Sequence, residues 1–230
     1  MAQARTLELF HGSTKIIQKP ILGQGNRRND YGLGFYCTPN EQMAGEWACS
    51  NGADGFINAY NLNTHGLKIL NLNSPDYTIL HWLTVLIQNR TFSLSGDAAS
   101  LAAEYLANSF SVPVQEYDVV RGYRADDSYF AFASAFLNGT ISLPTLQKAM
   151  HLGKLGEQIV PRTQKAFDQL EFTDARPAAA NYFLPRFQAR DQKARQDFQR
   201  MKNQPSVLSE PRMIDILREQ WQPNDPRLKP

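Results

Sequence analysis

The sequence predicts an α+β protein, because short strand patterns and amphipathic helical patterns are mixed along most of its 230 residues. Hydrophobic residues make up 42% of the chain and aromatic residues 11%, which is enough to build a core and argues against a disordered protein. The length suits one domain with an appendage, and no internal repeat is visible. The character of the sequence changes after Phe172. We therefore expect a domain over residues 1–172, followed by a linker and a basic helical extension over residues 173–230.

The predicted strands share a short apolar run that ends at a glycine, a turn or a polar loop. They are Leu7–Gly12, Phe35–Thr38, Phe56–Asn61, Leu67–Asn71, Tyr117–Gly122 and Leu155–Val160. The turn between the third and fourth of these strands is Thr64–Gly66. Strands of this length, interspersed with helices, indicate small sheets rather than one large sheet.

The predicted helices share apolar residues at intervals of three and four. They are a helix opened by Pro39 with Asn40 or Thr38 as its cap, then Asp76–Asn89, Asp97–Asn108, residues 129–138, Leu143–Met150, Thr163–Leu170, Arg186–Lys202 and Met213–Trp221. The prolines at 177 and 185 frame an alanine-rich stretch that is typical of a linker. The helices after this stretch form the predicted C-terminal extension.

The net charge is only +2, but it is unevenly distributed. Residues 173–230 hold 11 of the 24 basic residues and 7 of the 22 acidic residues, which leaves 13 basic and 15 acidic residues in the preceding part. A body near neutrality with a mildly basic tail is too weak a signal to indicate nucleic-acid binding.

Two cysteines, Cys37 and Cys49, form neither a disulfide framework nor a metal-binding pattern. The N-terminus lacks the basic and apolar regions of a signal peptide, and the longest apolar stretch, residues 77–87, is too short to span a bilayer. We therefore expect a cytoplasmic protein without a membrane-spanning segment.

The stretch Arg27–Thr38 carries Gly32 and Gly34, which bracket one residue and lead into Phe35 and Tyr36. This pattern predicts a tight turn that feeds a short strand and fixes the position of an aromatic side chain. One interpretation is a hairpin whose aromatic residue belongs to the core. The alternative is a ligand site, because glycines also allow a ligand to lie against the backbone.

Three separate strands carry polar or aromatic residues beside a glycine: His11 with Gly12, Tyr36 after Gly34, and Glu157 and Gln158 after Gly156. With His-Gly-Ser on the first strand and Gly-Phe-Tyr-Cys-Thr on the second, the sequence resembles ADP-ribosyltransferases of the diphtheria-toxin and poly(ADP-ribose)-polymerase type. It is most similar to a bacterial family on that fold, formerly of unknown function and often found in toxin–antitoxin loci. The resemblance covers roughly residues 7–172. The further stretches that carry it are Asp30–Thr38, Gln42 with Ala44 and Trp47–Ala48, Trp82–Arg90, Tyr117–Val120, Ala125–Asp127 and Gln158–Val160.

The resemblance implies a split β-sandwich in which two small sheets surround an NAD cleft, with helical insertions and a helical C-terminal appendage. His11 would bond the adenosine-side ribose hydroxyls, the Gly12 backbone would meet the nicotinamide amide, and Tyr36 would stack on the nicotinamide ring. Arg27 or Arg28 would pair with the pyrophosphate. The complete set expected to contact NAD is His11, Gly12, Ser13, Arg27, Arg28, Asp30, Gly34, Phe35, Tyr36 and Thr38.

The resemblance leaves the third catalytic position open between two neighbours. The polymerase-like enzymes carry a glutamate before this strand, which selects Glu157, whereas the more similar bacterial family carries a glutamine, which selects Gln158. Adjacent residues of a strand face opposite sides, so one of the two points into the cleft. We favour Gln158, whose amide can bond a ribose hydroxyl but supplies no negative charge.

Other candidate residues have simpler interpretations beside the functional one. His11 alone would suit a locally bonded strand-end histidine. Asp126 and Asp127 form a solvated turn, a helix cap or, within the resemblance, part of the acceptor side. No further ligand stands at metal-binding spacing, so we expect no metal. The aromatic residues between 123 and 136 suit a core better than a base-stacking platform.

The resemblance thus implies an NAD-dependent ADP-ribosyltransferase, a bacterial toxin that modifies a protein or nucleic-acid target with release of nicotinamide. An antitoxin or another neutralising partner would hold it in check. Two alternatives come from other classes: a catalytically weak or inactive NAD- or nucleotide-binding module, and an interaction protein that acts through its C-terminal helices. The extension over residues 173–230 could bind an antitoxin, bind the target or pack on the domain.

Overall fold

A computed structural model describes residues 6–92, 94, 96–124, 127–150, 152, 156–203 and 209–228. Within these ranges the chain is an α+β protein with two three-stranded sheets and several helices, as the sequence predicts. The strands are β1 (Thr6–Ser13), β2 (Gly55–Asn63), β3 (Ile69–Asn71), β4 (Val119–Tyr123), β5 (Glu157–Pro161) and β6 (Leu170–Ala178). The α-helices are α1 (Glu41–Ala48), α2 (Ile79–Asn89), α3 (Asp97–Ser109), α4 (Asp127–Leu137), α5 (Leu143–Ala149), α6 (Gln164–Asp168), α7 (Ala180–Lys202) and α8 (Met213–Arg218).

The chain divides into two compact units, of which the first carries both sheets. This unit comprises Met1–Asn71, Pro113–Arg124 and Leu155–Arg190. One sheet has the order β1–β2–β6 and is antiparallel throughout. The other has the order β3–β4–β5, in which β3 runs parallel to β4 and β5 runs antiparallel to it.

The second unit comprises Leu72–Val112, Ala125–Lys154 and Asp191–Pro230. Its described elements are helical, and its core combines aliphatic side chains with aromatic ones, including Trp82, Phe110, Phe132 and Phe136. The rings of Phe132 and Phe198 lie 4.0 Å apart, so the later turns of α7 pack against α4 within this unit.

A short extended stretch, residues 35–38, joins the two sheets of the first unit, and we call it the bridging segment. On one side, the Cys37 amide donates to the Ile159 carbonyl at 3.0 Å, and the Ile159 amide donates back to Cys37 at 2.9 Å. On the other side, Phe10 of β1 and Thr38 exchange two backbone hydrogen bonds of 2.8 and 2.9 Å. The bridging segment therefore makes β1 and β5 neighbours of one strand, although they belong to different sheets.

The core of the first unit lies on one side of the bridging segment. Leu9, Phe35, Cys37, Tyr60 and Ile159 are among the side chains buried together there. The Phe35 ring meets the Tyr60 ring edge-on at 5.3 Å, which is a favourable aromatic geometry. The Phe35 side chain is therefore committed to the core.

Helix α1 follows the bridging segment directly and is capped by Asn40, which decides between the two predicted caps. The Asn40 side-chain oxygen accepts a hydrogen bond of 3.1 Å from the amide of Met43, as N-cap residues do. The Thr38 hydroxyl instead accepts a bond of 3.2 Å from the amide of Asn40. Local side-chain bonds thus fix the exit of the chain from the bridging segment.

The structure corrects the predicted linker. Residues 173–178 form the second half of β6, which pairs with β2, and α7 begins at Ala180 rather than at Arg186. Pro177 is compatible with a strand because β6 lies at the edge of its sheet, where a missing amide donor costs little. Pro185 lies in the second turn of α7 and removes only one intrahelical bond there. The division of the chain at residue 172 into a catalytic domain and an extension stays a prediction.

The boundaries of three predicted helices differ in the structure. Helix α2 begins at Ile79, three residues later than predicted, after the N-cap residue Thr78. Helix α6 ends at Asp168 because β6 starts at Leu170. Helix α8 is shorter than predicted and ends at Arg218.

Because Gly34 lies against β5, we predict that Gly34→Ala destabilises the first unit. A methyl group there would stand 2.5 Å from Val160 Cγ1 and 2.9 Å from the Pro161 carbonyl oxygen, so the bridging segment would have to move away from β5. Overpacking of this kind costs about 1–3 kcal/mol, and we expect a loss of about 2 kcal/mol in the free energy of unfolding measured with urea.

The double variant Gly34→Ala/Val160→Ala provides the control, since it removes the Cγ1 atom that the new methyl group meets. We expect a coupling of at least about 0.5 kcal/mol between the two substitutions. Simple additivity of their effects would show that the contact with Val160 Cγ1 is not the cause of the loss.

Candidate functional site

The bridging segment decides which residues of β5 share a face with Tyr36. Cys37 pairs with Ile159 in antiparallel register, so Thr38 lies opposite Gln158, and Tyr36 lies diagonally from Gln158 on the same face. Because side chains alternate along a strand, Cys37 and Ile159 point to the other face, into the core. The structure thus brings Tyr36 and Gln158 together.

Glu157 lies on the opposite face of β5 and is engaged there. Its carboxylate accepts a hydrogen bond of 2.6 Å from Arg121 Nε, and the two side chains form an ion pair. Arg121 is itself opposite Ile159 in the β4–β5 ladder, which confirms that the pair lies on the core side of the strand. Of the two neighbours that the sequence left open, only Gln158 shares a face with Tyr36.

The Gln158 side chain has an unusual environment for an amide. The residue is only 6% exposed, and its side-chain oxygen is buried without a hydrogen-bond partner among the described residues. A buried acceptor without a donor costs about 1–3 kcal/mol, so such groups call for an explanation. Gln158 therefore presents a carbonyl oxygen that a ligand hydroxyl could satisfy.

A close approach of a side chain to the backbone lies beside Gln158. In the β4–β5 ladder Gln158 lies directly opposite Gly122, and a methyl group at Gly122 would overlap the Tyr31 hydroxyl. Tyr31 is 1% exposed, and its hydroxyl donates to the Tyr123 carbonyl. Gly122 thus makes room for the Tyr31 ring beside Gln158.

Two hydrogen bonds hold the hydroxyl of Tyr36 in place. Its hydroxyl donates to the Gly32 carbonyl at 2.7 Å and accepts from the Tyr31 amide at 3.0 Å. Gly32 has a φ of +73°, a conformation that favours glycine, so the turn that presents its carbonyl depends on this residue. The turn predicted from Gly32 and Gly34 therefore fixes the orientation of the Tyr36 ring, which is half-buried.

His11 connects β1 to the bridging segment through its side chain. Its Nδ1 lies 2.7 Å from the Tyr36 carbonyl oxygen, which can only accept, so Nδ1 carries the proton. In the neutral imidazole this leaves Nε2 as an acceptor. The His11 ring also contacts the Phe35 ring at a centroid distance of 4.3 Å. The His11 side chain therefore links β1 to the bridging segment next to the backbone pair of Phe10 and Thr38.

Burial lowers the pKa of His11 from its ordinary value of 6.5, and the hydrogen bond to the Tyr36 carbonyl opposes this shift. The desolvation of the cationic form outweighs the bond, so the neutral ring persists at neutral pH. A neutral ring with a fixed tautomer is suited to accept a hydrogen bond from a hydroxyl.

Helix packing requires a glycine at position 12, which the sequence did not reveal. A methyl group at Gly12 would overlap the Ala44 carbonyl oxygen of α1, and the Ala48 amide lies close by as well. Gly12 therefore lets α1 pack against β1. The expected approach of a ligand to the Gly12 backbone stays a prediction.

The remaining residues expected to contact NAD differ in their exposure and in their hydrogen bonds. Arg27 and Arg28 are exposed, and neither guanidinium forms an ion pair with a described residue. Asp30 is only 3% exposed. Ser13 accepts a bond of 3.3 Å from the Lys15 amide at the end of β1.

Three residues of the set expected to contact NAD stabilise the fold: Thr38, Phe35 and Gly34. Thr38 is fully buried beside the α1 cap, Phe35 packs in the core, and Gly34 allows close contact with β5. Asp126 lies outside the described residues, and Asp127 begins α4 with a side chain that is not described.

Sequence reasoning missed Asn58, a fully buried amide on β2 that organises the chain after His11. Its Nδ2 donates to the carbonyls of His11 and Lys15 at 3.3 and 3.2 Å, and its Oδ1 accepts from the Ile17 amide at 2.8 Å. An asparagine between the apolar residues Ile57 and Ala59 of a predicted strand was the available signal.

Arg162, which directly follows β5, was missed as well. Its Nε donates to the Leu33 carbonyl at 3.2 Å and its Nη1 to the Val114 carbonyl at 2.8 Å. Burial lowers the pKa of Arg162, while the proximity of Tyr36 opposes this. Arg162 thus ties the glycine turn to the second sheet.

A family model described as a protein of unknown function, DUF3990, matches residues 7–172. The chain belongs to the DUF3990 family. The matched range contains His11, Tyr36 and Gln158, so these three positions are part of the DUF3990 domain. No curated protein and no solved structure matches the chain.

Two further observations on the DUF3990 chain concern membranes and metals. None of the helices in the described ranges combines the length and the apolar character that a bilayer crossing requires. Within the same ranges, no three or more His, Cys, Asp or Glu side chains are grouped so that they could hold a metal ion.

The lowered pKa of His11 predicts how the stability of the DUF3990 chain depends on pH. Below pH 6.5 the unfolded chain binds a proton at this residue that the folded chain does not, so the free energy of unfolding falls as the pH drops. Burial also lowers the pKa of His81, which therefore contributes to the same fall. His11→Asn should make the free energy of unfolding fall less steeply with pH, and the contribution of His81 should remain. Urea unfolding between pH 7.5 and 5 measures both slopes.

An NMR titration of the His11 ring provides the direct check. We expect a midpoint below 6.5 and the Nδ1-protonated tautomer. A midpoint above 6.5, or proton density on Nε2 alone in the neutral form, would contradict the geometry described above.

Proposed function

We propose that the chain is an NAD-dependent ADP-ribosyltransferase with an ADP-ribosyltransferase-like fold. In this proposal it is a cytoplasmic bacterial toxin that modifies a protein or nucleic-acid target and is held in check by a neutralising partner. The observation that carries the catalytic part is the buried, unpartnered side-chain oxygen of Gln158 on the face it shares with Tyr36. The toxin role and the partner rest on the sequence resemblance alone.

The arrangement of the two small sheets supports the proposal, because the three residues come from three different strands of one compact unit. His11 lies in β1, Tyr36 belongs to the bridging segment and Gln158 belongs to β5. The His11 ring is bonded to the Tyr36 carbonyl, so the side chain from β1 is held next to the bridging segment.

His11 and Gln158 offer complementary acceptors for ribose. The neutral His11 ring presents Nε2, and Gln158 presents its amide oxygen, so each could accept a hydrogen bond from a ribose hydroxyl. We assign His11 to the adenosine-side ribose and Gln158 to the 2′-hydroxyl of the nicotinamide-side ribose. Tyr36 would offer its ring to the cationic nicotinamide, an interaction worth about 0.5–2 kcal/mol.

The proposed reaction breaks the bond between the ribose carbon and the nicotinamide nitrogen. The bonding electrons leave with nicotinamide, which becomes neutral, and positive charge spreads over the ribose carbon and ring oxygen, as in glycoside cleavage. A nucleophile of the target then bonds to the ribose carbon and loses its proton to solvent. Gln158 would act by orienting the 2′-hydroxyl, since an amide supplies no charge to stabilise the oxocarbenium-like centre.

A second candidate function, an NAD-binding module of low or no catalytic activity, is favoured by the same residue. The carboxylate nearest in sequence, that of Glu157, lies on the other face of β5 and is paired with Arg121 at 2.6 Å. Gln158 is a neutral group, and the glutamate that the resemblance to the polymerase-like enzymes selects is Glu157, which does not share a face with Tyr36. Turnover, rather than binding, therefore separates the two candidates.

We predict that the purified chain releases nicotinamide from NAD and transfers the labelled ADP-ribose to a component of bacterial lysate. Gln158→Ala should lower kcat by about five- to tenfold, since one neutral hydrogen bond contributes about 1–1.5 kcal/mol and tenfold corresponds to about 1.4 kcal/mol. His11→Ala and Tyr36→Ala should abolish transfer and weaken NAD binding.

Glu157→Ala is the matched control for Gln158→Ala, because it truncates the neighbouring side chain on the opposite face. It should retain turnover within about threefold, apart from a loss of stability from the broken ion pair of about 1 kcal/mol or less. Loss of turnover in Glu157→Ala alone would refute the role of Gln158. NAD binding without nicotinamide release would leave the binding module as the function.

A further inference from the structure

The segment over residues 15–22, just after β1, exposes a combination of cationic and aliphatic side chains, and we call it the basic loop. Ile16 is 49% exposed, Ile21 59% and Leu22 37%, and Lys15 and Lys19 are exposed beside them. Large aliphatic side chains that cluster on a surface among charged groups mark interaction sites more often than isolated ones do.

The backbone at the start of the basic loop, over residues 15–17, is nevertheless held in place. Asn58 bonds both the Lys15 carbonyl and the Ile17 amide, and the Tyr60 hydroxyl donates to the Ile17 carbonyl. The Ile17 side chain packs against the buried core while Ile16 faces outward. Lys15 and Ile16 therefore stand on an anchored backbone, which lowers the entropic cost of binding a partner at this end of the loop.

The charge of the basic loop has no local compensation. Residues 14–29 contain Lys15, Lys19, Arg27 and Arg28 but no acidic residue. Neither Lys15 nor Lys19 forms an ion pair with a carboxylate of the described residues. Many other cations of the chain are paired, among them Arg121, Arg176, Arg190, Lys193 and Arg195. The loop thus offers positive charge that only an external group can neutralise.

The basic loop adjoins the candidate site through the same amide that anchors it. Asn58 Nδ2 donates to the carbonyl of His11 at 3.3 Å as well as to that of Lys15 at 3.2 Å. Lys15 follows His11 by four residues. A molecule that docks on the loop would therefore stand beside His11.

We propose that residues 15–22 form the docking surface for an acidic polypeptide segment with aliphatic side chains, belonging to a protein partner. Carboxylates would pair with Lys15 and Lys19, and aliphatic groups would cover Ile16, Ile21 and Leu22. Proteins that bind single-stranded nucleic acid stack bases on aromatic side chains, whereas residues 14–29 contain no aromatic residue. The inference goes beyond the proposed function and does not depend on it, because docking requires no turnover of NAD.

The test uses the full chain and a fluorescein-labelled peptide built from the repeat Glu-Leu-Glu-Ser, with binding measured by fluorescence anisotropy. Lys15→Glu/Lys19→Glu should weaken binding by about tenfold or more, since each exposed ion pair is worth up to about 1 kcal/mol and the substitution turns attraction into repulsion. Ile16→Ser/Ile21→Ser should weaken it as well but should keep its dependence on salt. Lys148→Glu/Lys202→Glu makes the same charge change at exposed lysines elsewhere and should bind like the wild type.

Two further probes decide the chemistry of the partner. A peptide in which serine replaces leucine should bind at least about fivefold more weakly, and an oligothymidine of equal charge should not compete with the acidic peptide. Absence of peptide binding, or equal binding by Lys15→Glu/Lys19→Glu, would overturn the proposal. Tighter binding of oligothymidine through the same lysines would assign the surface to nucleic acid instead.

The failure of this inference is distinguishable from failure of the proposed function, because nicotinamide release is assayed separately on the same variants. The lysine and isoleucine substitutions lie outside the residues expected to contact NAD. A chain that binds the peptide but does not cleave NAD would refute only the enzyme. A chain that cleaves NAD but ignores the peptide would refute only the docking surface.

Discussion

The first unit depends on the backbone hydrogen bonds of the bridging segment, residues 35–38. These four residues pair with β5 on one edge through Cys37 and with β1 on the other through Thr38, so two sheets become one continuous framework at this point. The pairing register determines the side of each neighbouring residue, and a shift of one residue would exchange the two faces. Because of this register, Tyr36 and Gln158 share a face, and Phe35, Cys37 and Ile159 share the core. The close approach that Gly34 allows is what brings the segment within reach of β5.

The candidate site is built from groups whose positions are fixed before any ligand binds. The Tyr36 hydroxyl is bonded to the backbone of residues 31 and 32, and the His11 ring is bonded to the Tyr36 carbonyl. Pre-organised polar groups of this kind cost stability when they remain unsatisfied, and the buried side-chain oxygen of Gln158 is such a group. The neutral character of Gln158 also sets a limit on its chemistry, since it can orient a hydroxyl but cannot offset positive charge.

Much of the architecture follows from the sequence, because helical periodicity and short strands between glycines are local signals. Strand β6 was missed since Pro177 reads as a breaker, and only its place at the edge of the sheet makes it acceptable. The glycine turn before Tyr36 was predicted from local pattern, but the reasons for Gly12 and Gly122 lie in the close approach of α1 and Tyr31. The choice between Gln158 and Glu157 depends on strand register, and the role of Asn58 depends on contacts 41 to 47 residues away along the chain. Non-local pairing of this kind leaves no trace in local periodicity.

The most direct test of the central claim, that the face shared by Tyr36 and Gln158 is the NAD site, is a crystal structure of the full chain with NAD bound. The account predicts the nicotinamide ring against Tyr36, a ribose hydroxyl within hydrogen-bond distance of the Gln158 side-chain oxygen, and another hydroxyl at His11 Nε2. NAD bound on the face that carries Glu157 and Arg121, or away from the bridging segment, would contradict it.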